Sequence, residues 1–207
     1  MSYARRQEYS RLAHAGTAAV ASTAAALLGL ALAGAGAATA AAVSLLAAVA
    51  LGLHARQWLA LAGRSRGGAR SEAEVRRTLA VLQREGWRLR HSLPWPESGD
   101  IDSLAIAPTR VGFAIETKTR AYDDRHLARV GDQAAWLSCR RRQWCRCVVV
   151  PVVCLVRARG VQRLERNVLV VSIDRLIPVL RSAVGGVSRP ADDLGMRRLF
   201  GQRNRFE

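Results

Sequence analysis

The sequence predicts an α/β protein, a mixed sheet flanked by helices, with an N-terminal alanine-rich helical hairpin expected to be transmembrane. Two observations carry that prediction. Residues 17–53 contain no charged side chain, and from residue 71 helical and strand-like periodicities alternate over a length suited to one domain. No internal repeat interrupts the alternation.

Residues 1–16 form a basic flank with Arg5, Arg6 and Arg11. The apolar run "TAAVASTAAALLGLALAGAGAATAAAVSLLAAVALGL" (17–53) exceeds the about 20 residues that one bilayer crossing needs, yet is short for two. "AGAG" (33–36) lies at its centre and suits a tight turn. Arg56, Arg64, Arg66 and Arg70 follow the run. Positive charge on both flanks places both in the cytoplasm, which requires an even number of crossings. The expectation is therefore two short membrane helices packed through Ala and Gly, with the later domain on the cytoplasmic side. Alanine is only weakly hydrophobic, so a soluble helical hairpin or a poorly ordered segment, in a cytoplasmic protein, forms the alternative. A secretory signal fits less well, because the run is far longer than a signal core and no clear cleavage pattern ends it. Residues 54–70, with "GRSRGGAR" (63–70), read as a flexible basic linker.

The domain spans 71–182. "SEAEVRRTLAVLQREG" (71–86) is an amphipathic helix stopped by Gly86. "WRLRHSL" (87–93), "DIDSLAIAP" (100–108) and "VGFAIETKT" (111–119) read as strands, the last two around a turn holding Pro108. "DDRHLARVGDQAAWLSCRRR" (123–142) is helical. "CRCVVVPVVCLV" (145–156) is a buried strand in which Pro151 suggests a bulge or an edge position. "NVLVVS" (167–172) is a strand, "IDRLIPVLR" (173–181) a short helix, and 183–207 a partly ordered extension.

The net charge of +16 and pI near 11.5 suit a polyanionic partner, nucleic acid or an anionic membrane surface. An Ala- and Arg-heavy composition is also what a GC-rich coding sequence produces, and the charge is then a solvated surface. Cys139, Cys145, Cys147 and Cys154 lack a CxxC pair and a nearby histidine, which argues against zinc and for reduced, hydrophobe-like thiols.

Only one of the 32 Lys and Arg residues is lysine, Lys118 in "FAIETKTR" (113–120). Strand alternation puts Glu116 and Lys118 on one face and Phe113, Ile115 and Thr117 on the other. If Pro108, Thr109 and Arg110 form a three-residue hairpin loop, Ala107 pairs with Val111, and the same register brings Asp102 opposite Glu116. Carboxylates about 5 Å apart repel unless a cation lies between them. Hard divalent cations take such oxygen ligands, and a compact ammonium alongside orients water as a planar guanidinium would not. A two-residue loop would break the coincidence. Glu72 continues the apolar stripe of Val75, Leu79 and Leu82; on position alone it reads as a solvated helix-start charge, and Glu74 as a surface charge.

At these residues the sequence resembles the nuclease-related domain family, part of the PD-(D/E)XK nucleases with their restriction-endonuclease-like fold. The likeness runs from "GARSEAEV" (68–75) through "GDIDSLAIAPTRVGFAIETKT" (99–119) to "DQAAWL" (132–137), and more loosely to about residue 181. The family's glycine-glutamate corresponds to Ser71-Glu72, so the glycine is replaced. The resemblance implies that Asp102 and Glu116 hold Mg²⁺, with Mn²⁺ as the alternative. It implies that Lys118 assists the water, Glu72 supports the site, and Gln133, early in the second helix, orients groups beside it.

In "CRRRQWCR" (139–146), Arg140, Arg141, Arg142 and Arg146 around Trp144 suit a backbone contact with DNA, widened by Arg125, Arg129, Arg157, Arg159 and Arg163. Cations at a helix C-terminus are the plainer explanation. The expected function is membrane-tethered, metal-dependent DNA hydrolysis, with RNA as alternative substrate. The alternative is a non-catalytic nucleic-acid-binding or membrane scaffold protein on the same fold.

Overall fold

The computed structural model describes residues 3–97, 99–140 and 148–187, in two compact units that divide between Ala69 and Arg70. The first unit is a helical hairpin. Helix α1 (Tyr3–Gly34) and the first part of α2 (Ala38–Leu79) are joined by a short turn in which Gly36 takes φ 77°, a left-handed value that glycine adopts without strain. On α2 the buried residues Ala41, Ala48, Ala55 and Ala62 recur every seven positions, the spacing of a two-helix seam. Two hydroxyls stitch that seam: Ser22 donates to the Ala48 carbonyl (2.7 Å) and Ser44 to that of Ala25 (2.9 Å). Arg11 donates to the Leu61 carbonyl (3.0 Å) and to the Ser65 hydroxyl (2.5 Å).

Outward, Val20, Leu27, Leu28, Leu30, Val43, Leu46, Val49 and Leu53 stand exposed. Both helices are long and apolar enough to cross a membrane. Residues 54–70, expected as a linker, are instead helical and lie within α2. Gly63, Gly67 and Gly68 each cost about 1 kcal/mol of helix propensity, but the Ala, Leu and Arg residues around them favour the helix.

The second unit begins with the last turns of α2. Val75 and Leu79 are fully buried there, and the chain tightens into a 3₁₀ stretch, Ala80–Glu85. Gly86 at φ 80° closes it as predicted: its N–H bonds to the Gln83 carbonyl and that of Trp87 to Leu82. Strands β1 (Arg88–Pro94), β2 (Asp100–Ile106) and β3 (Gly112–Lys118) form an antiparallel meander. Helix α3 (Asp124–Arg140) then crosses to β4 (Val149–Leu155), parallel to β3. Strands β5 (Gln162–Glu165) and β6 (Val168–Ser172) form a hairpin, and α4 (Ile173–Val187) follows. The order β1-β2-β3-β4-β6-β5 makes one mixed, six-stranded sheet with helices on its faces, the α/β class read from the sequence.

Alternation divides the sheet between two cores. Phe113, Ile115, Val152, Cys154, Leu169 and Val171 meet Val75, Leu79 and Leu82 and the α4 residues Leu176, Val179 and Leu180. On the opposite face α3 supplies Ala134 and Leu137 against Leu104, Ile106 and Ala114, and Leu127 and Val130 against Val153, Leu155 and Val170. Trp87 stacks on Phe113 at 5.8 Å.

The sequence reading missed β5. It is a four-residue edge strand, mostly polar, without the apolar alternation that announces strands. Its turn, Arg166-Asn167, has both residues at positive φ (46° and 64°), the type I′ geometry of two-residue hairpins. Pro151 sits neither at an edge nor at a bulge: it pairs in register with Ala114 in an interior strand, where it gives up one donor. Cys154 is fully buried with its thiol pushed up to about 12 by burial, in keeping with a hydrophobe-like role. Cys145 and Cys147 lie outside the described residues, as does the extension beyond 187.

Arg110 takes the left-handed position of the β2–β3 loop, at φ 66°. Arg110→Gly is expected to raise stability by about 0.5–1 kcal/mol, because a side chain there costs energy that glycine does not; urea denaturation reads the change.

Candidate functional site

The site is built on the β2–β3 hairpin. Pro108, Thr109 and Arg110 form the loop: the Ala107 N–H donates to the Val111 carbonyl (2.9 Å), and the Arg110 N–H to Ala107 (2.8 Å). This is the three-residue connection with its last residue left-handed. The register runs Ile106↔Gly112, Ala105↔Phe113, Leu104↔Ala114, Ser103↔Ile115, as the sequence predicts. The regular pairing ends there, one step short of Asp102 and Glu116. Glu116 lies two residues beyond Ala114, which packs on the α3 face, whereas Ile101, next to Asp102, packs into that same α3-side cluster, so strict alternation does not run through Asp102.

Each carboxylate is held from its own side. Asp102 Oδ2 accepts the Thr117 backbone N–H at 2.7 Å. Glu116 is only 7% exposed, and Lys118 Nζ donates to its Oε1 at 2.9 Å. Glu116 Oε2 is buried with no hydrogen-bond partner among the described residues. Both strands are interior to the sheet.

Burial pushes the Asp102 carboxyl well above the usual carboxylate range, and the charges of Glu116 and Glu72 push it further; the Thr117 N–H and Lys118 oppose them. Glu72 thus lies near enough for its charge to bear on Asp102. It is also tied to Arg76, whose Nη2 lies 3.4 Å from Glu72 Oε2 and donates to Ser92 Oγ at 2.7 Å. Ser71, standing where the resemblance expects glycine, is buried with its hydroxyl 3.2 Å from that of Thr119, one residue beyond Lys118. Gln133, midway along α3, is fully buried, and neither its amide nitrogen nor its oxygen has a hydrogen-bond partner among the described residues.

Two carboxylates on adjacent strands, one with an orphaned oxygen, match the donor chemistry of a hard divalent cation. Among the described residues no group of three or more His, Cys, Asp or Glu is arranged to hold a metal ion. Any further ligands would be carbonyl, water or phosphate oxygens.

The arginines divide. Arg140 is exposed at the end of α3, and Arg125, Arg157 and Arg159 are exposed too. Arg141, Arg142 and Arg146 lie outside the described residues. Arg129 stacks over the Trp95 ring (5.3 Å), and Arg163 pairs with Glu165 (2.6 Å) and packs on Tyr122, so these two serve the fold. Sequence reasoning missed Arg76, Ser92 and the Thr117 N–H. The (i, i+4) spacing of Glu72 and Arg76 was a signal in hand, whereas nothing in the sequence marks Ser92 as left-handed (φ 52°).

Residues 67–156 match the family model described as nuclease-related domain, the family that the residues themselves resemble. No curated protein and no solved structure matches the chain.

Because the folded Asp102 holds its proton to higher pH than an unfolded aspartate, its ionisation costs stability as pH rises from the usual carboxylate range through the raised value. Metal-free Asp102→Asn should therefore be more stable than the native chain at pH 8, with the gain vanishing at acidic pH where the native carboxyl is protonated. Thermal melts across pH measure it.

Proposed function

We propose that the chain is a membrane-tethered, metal-dependent nuclease that hydrolyses DNA phosphodiester bonds. The observation that carries the proposal is the acidic pair on adjacent strands, Asp102 and Glu116, with the chain's one lysine ammonium 2.9 Å from the second acid. The match to the nuclease-related domain supports a nucleic acid as substrate.

A bound Mg²⁺ or Mn²⁺ would supply charge against the phosphate and lower the pKa of attacking water. The chain's own residues do the rest. Asp102, hydrogen-bonded by the Thr117 N–H, and Glu116, paired with Lys118, would supply the carboxylate oxygens. Lys118, partly exposed, is free to turn its ammonium from Glu116 toward an attacking water and to neutralise charge developing on phosphate. An arginine fork would not fit that space. Gln133 contributes an unspent amide for orienting a ligand from the α3 side. Exposed arginines such as Arg140 would track the nucleic-acid backbone. The apolar outer faces of α1 and α2 would lie in lipid, with the domain on the cytoplasmic side.

A second reading, binding without cleavage, draws on Ser71 in place of glycine and on the lack of a third acidic, His or Cys ligand among the described residues.

Full-length protein in detergent, given Mg²⁺ or Mn²⁺, should cleave at least one of linear, supercoiled, single-stranded or branched DNA or RNA. Asp102→Ala and Lys118→Met should each lower the rate by about 100-fold or more, and Lys118→Arg should not restore it. Cleavage that survives both substitutions comes from a contaminant; binding without cleavage in either metal selects the second reading. DNA affinity should fall steeply with added salt, and a flat titration would remove the phosphate contacts.

A further inference from the structure

Strand β1 lies against β2 on the side away from Glu116. Its ladder pairs His91 with Ser103 and Leu93 with Ile101, so the intervening rung sets Ser92 against Asp102. That rung is interrupted: Ser92 takes φ 52°, a conformation L-residues seldom adopt, and β1 locally gives up its regular pairing. Such strain persists only where surrounding contacts hold it. Here the contact is the 2.7 Å hydrogen bond from Arg76 Nη2 to Ser92 Oγ. The same nitrogen faces Glu72 Oε2 at 3.4 Å from the next turn of α2. A single guanidinium thus bridges the helix carrying one acid and the strand residue opposite another. It is held there on a side chain 31% exposed, against 12% for Glu72.

Glu72 needs such a hold. Its charge bears on Asp102, and like-charge repulsion pushes such a glutamate side chain outward unless it is tethered. We infer that Arg76, docked on Ser92, is a positioning residue that keeps Glu72 turned toward the Asp102–Glu116 pair, making Glu72 an outer support of the cation site. The inference rests on the metal-dependent reading above. It assigns Arg76 no contact with substrate: it acts through Glu72.

The sign of one measurement separates positioning from a mere background charge. A positive charge beside a cation site repels the cation, so deleting Arg76 as bystander would tighten Mn²⁺ binding or leave it unchanged. Deleting it as positioner loosens binding, because Glu72 departs. Mn²⁺ affinity of the full-length protein is read by titration calorimetry, with circular dichroism to show that each variant is folded. Arg76→Met should weaken binding by about tenfold, in the range typical of groups that orient metal ligands, and Ser92→Ala should weaken it in the same direction without touching helix α2. In a Glu72→Gln background the Arg76→Met change should shrink to about twofold or less, since the two act as one unit. Where RNA or DNA is cleaved, the loss should fall on kcat with KM little changed. Tighter or unchanged Mn²⁺ binding in Arg76→Met, or an equal loss in both backgrounds, overturns the inference and leaves the nuclease reading standing. A native chain that binds no Mn²⁺ overturns both.

Discussion

The turn at Pro108, Thr109 and Arg110 fixes everything downstream of it. Three loop residues, the last of them left-handed, set the register of β2 on β3 and bring the segments that carry Asp102 and Glu116 side by side. A strand has a period of two, so a slip of one residue would turn each paired side chain to the opposite face. The hydrophobic pattern defends the same register. Leu104 and Ile106 fill the α3 face while Ala105 and Ala107 fill the other, and any slip would exchange them.

Against that frame the site is electrostatically uphill. Two acids on adjacent strands repel each other, a third adds its charge, and burial makes the repulsion worse. Offsetting donors are few and local: the Thr117 N–H for Asp102, Lys118 for Glu116, Arg76 for Glu72. The rest of the domain is conventional enough to carry the load, with two apolar cores and a sheet whose interior strands are buried on both faces. Function-bearing sites commonly keep such local conflict where a well-packed scaffold sustains it.

Much of this was legible in the sequence, for physical reasons. The hairpin was readable because Pro108 punctuates two apolar strands and because alternation converts a loop length into a register. Gly86 was readable as a helix stop because only glycine sits there without strain. What escaped had no periodic signature. Strand β5 is polar and exposed, paired only on its β6 side, so neither hydrophobic alternation nor burial announces it. The helical state of 54–70 was hidden by three glycines that weigh heavily in local propensity and lightly in a long helix. The Ser92 conformation, and with it Arg76's anchor, depends on tertiary contacts between segments 16 residues apart. Position along the helix alone made Glu72 a solvated helix-start charge; its proximity to Asp102 emerges only once β2 is packed beside it.

The chain's near-exclusive use of arginine also gives it a chemical address. Apart from the amino terminus, Lys118 is the single primary amine, and it sits part-shielded against Glu116. Acylating reagents, or an acetyl-transferring enzyme, therefore have one side chain to strike, at the centre of the acidic pair. Labelling yield at that amine reports whether the pocket is open or filled, with no lysine elsewhere on the surface to blur the readout.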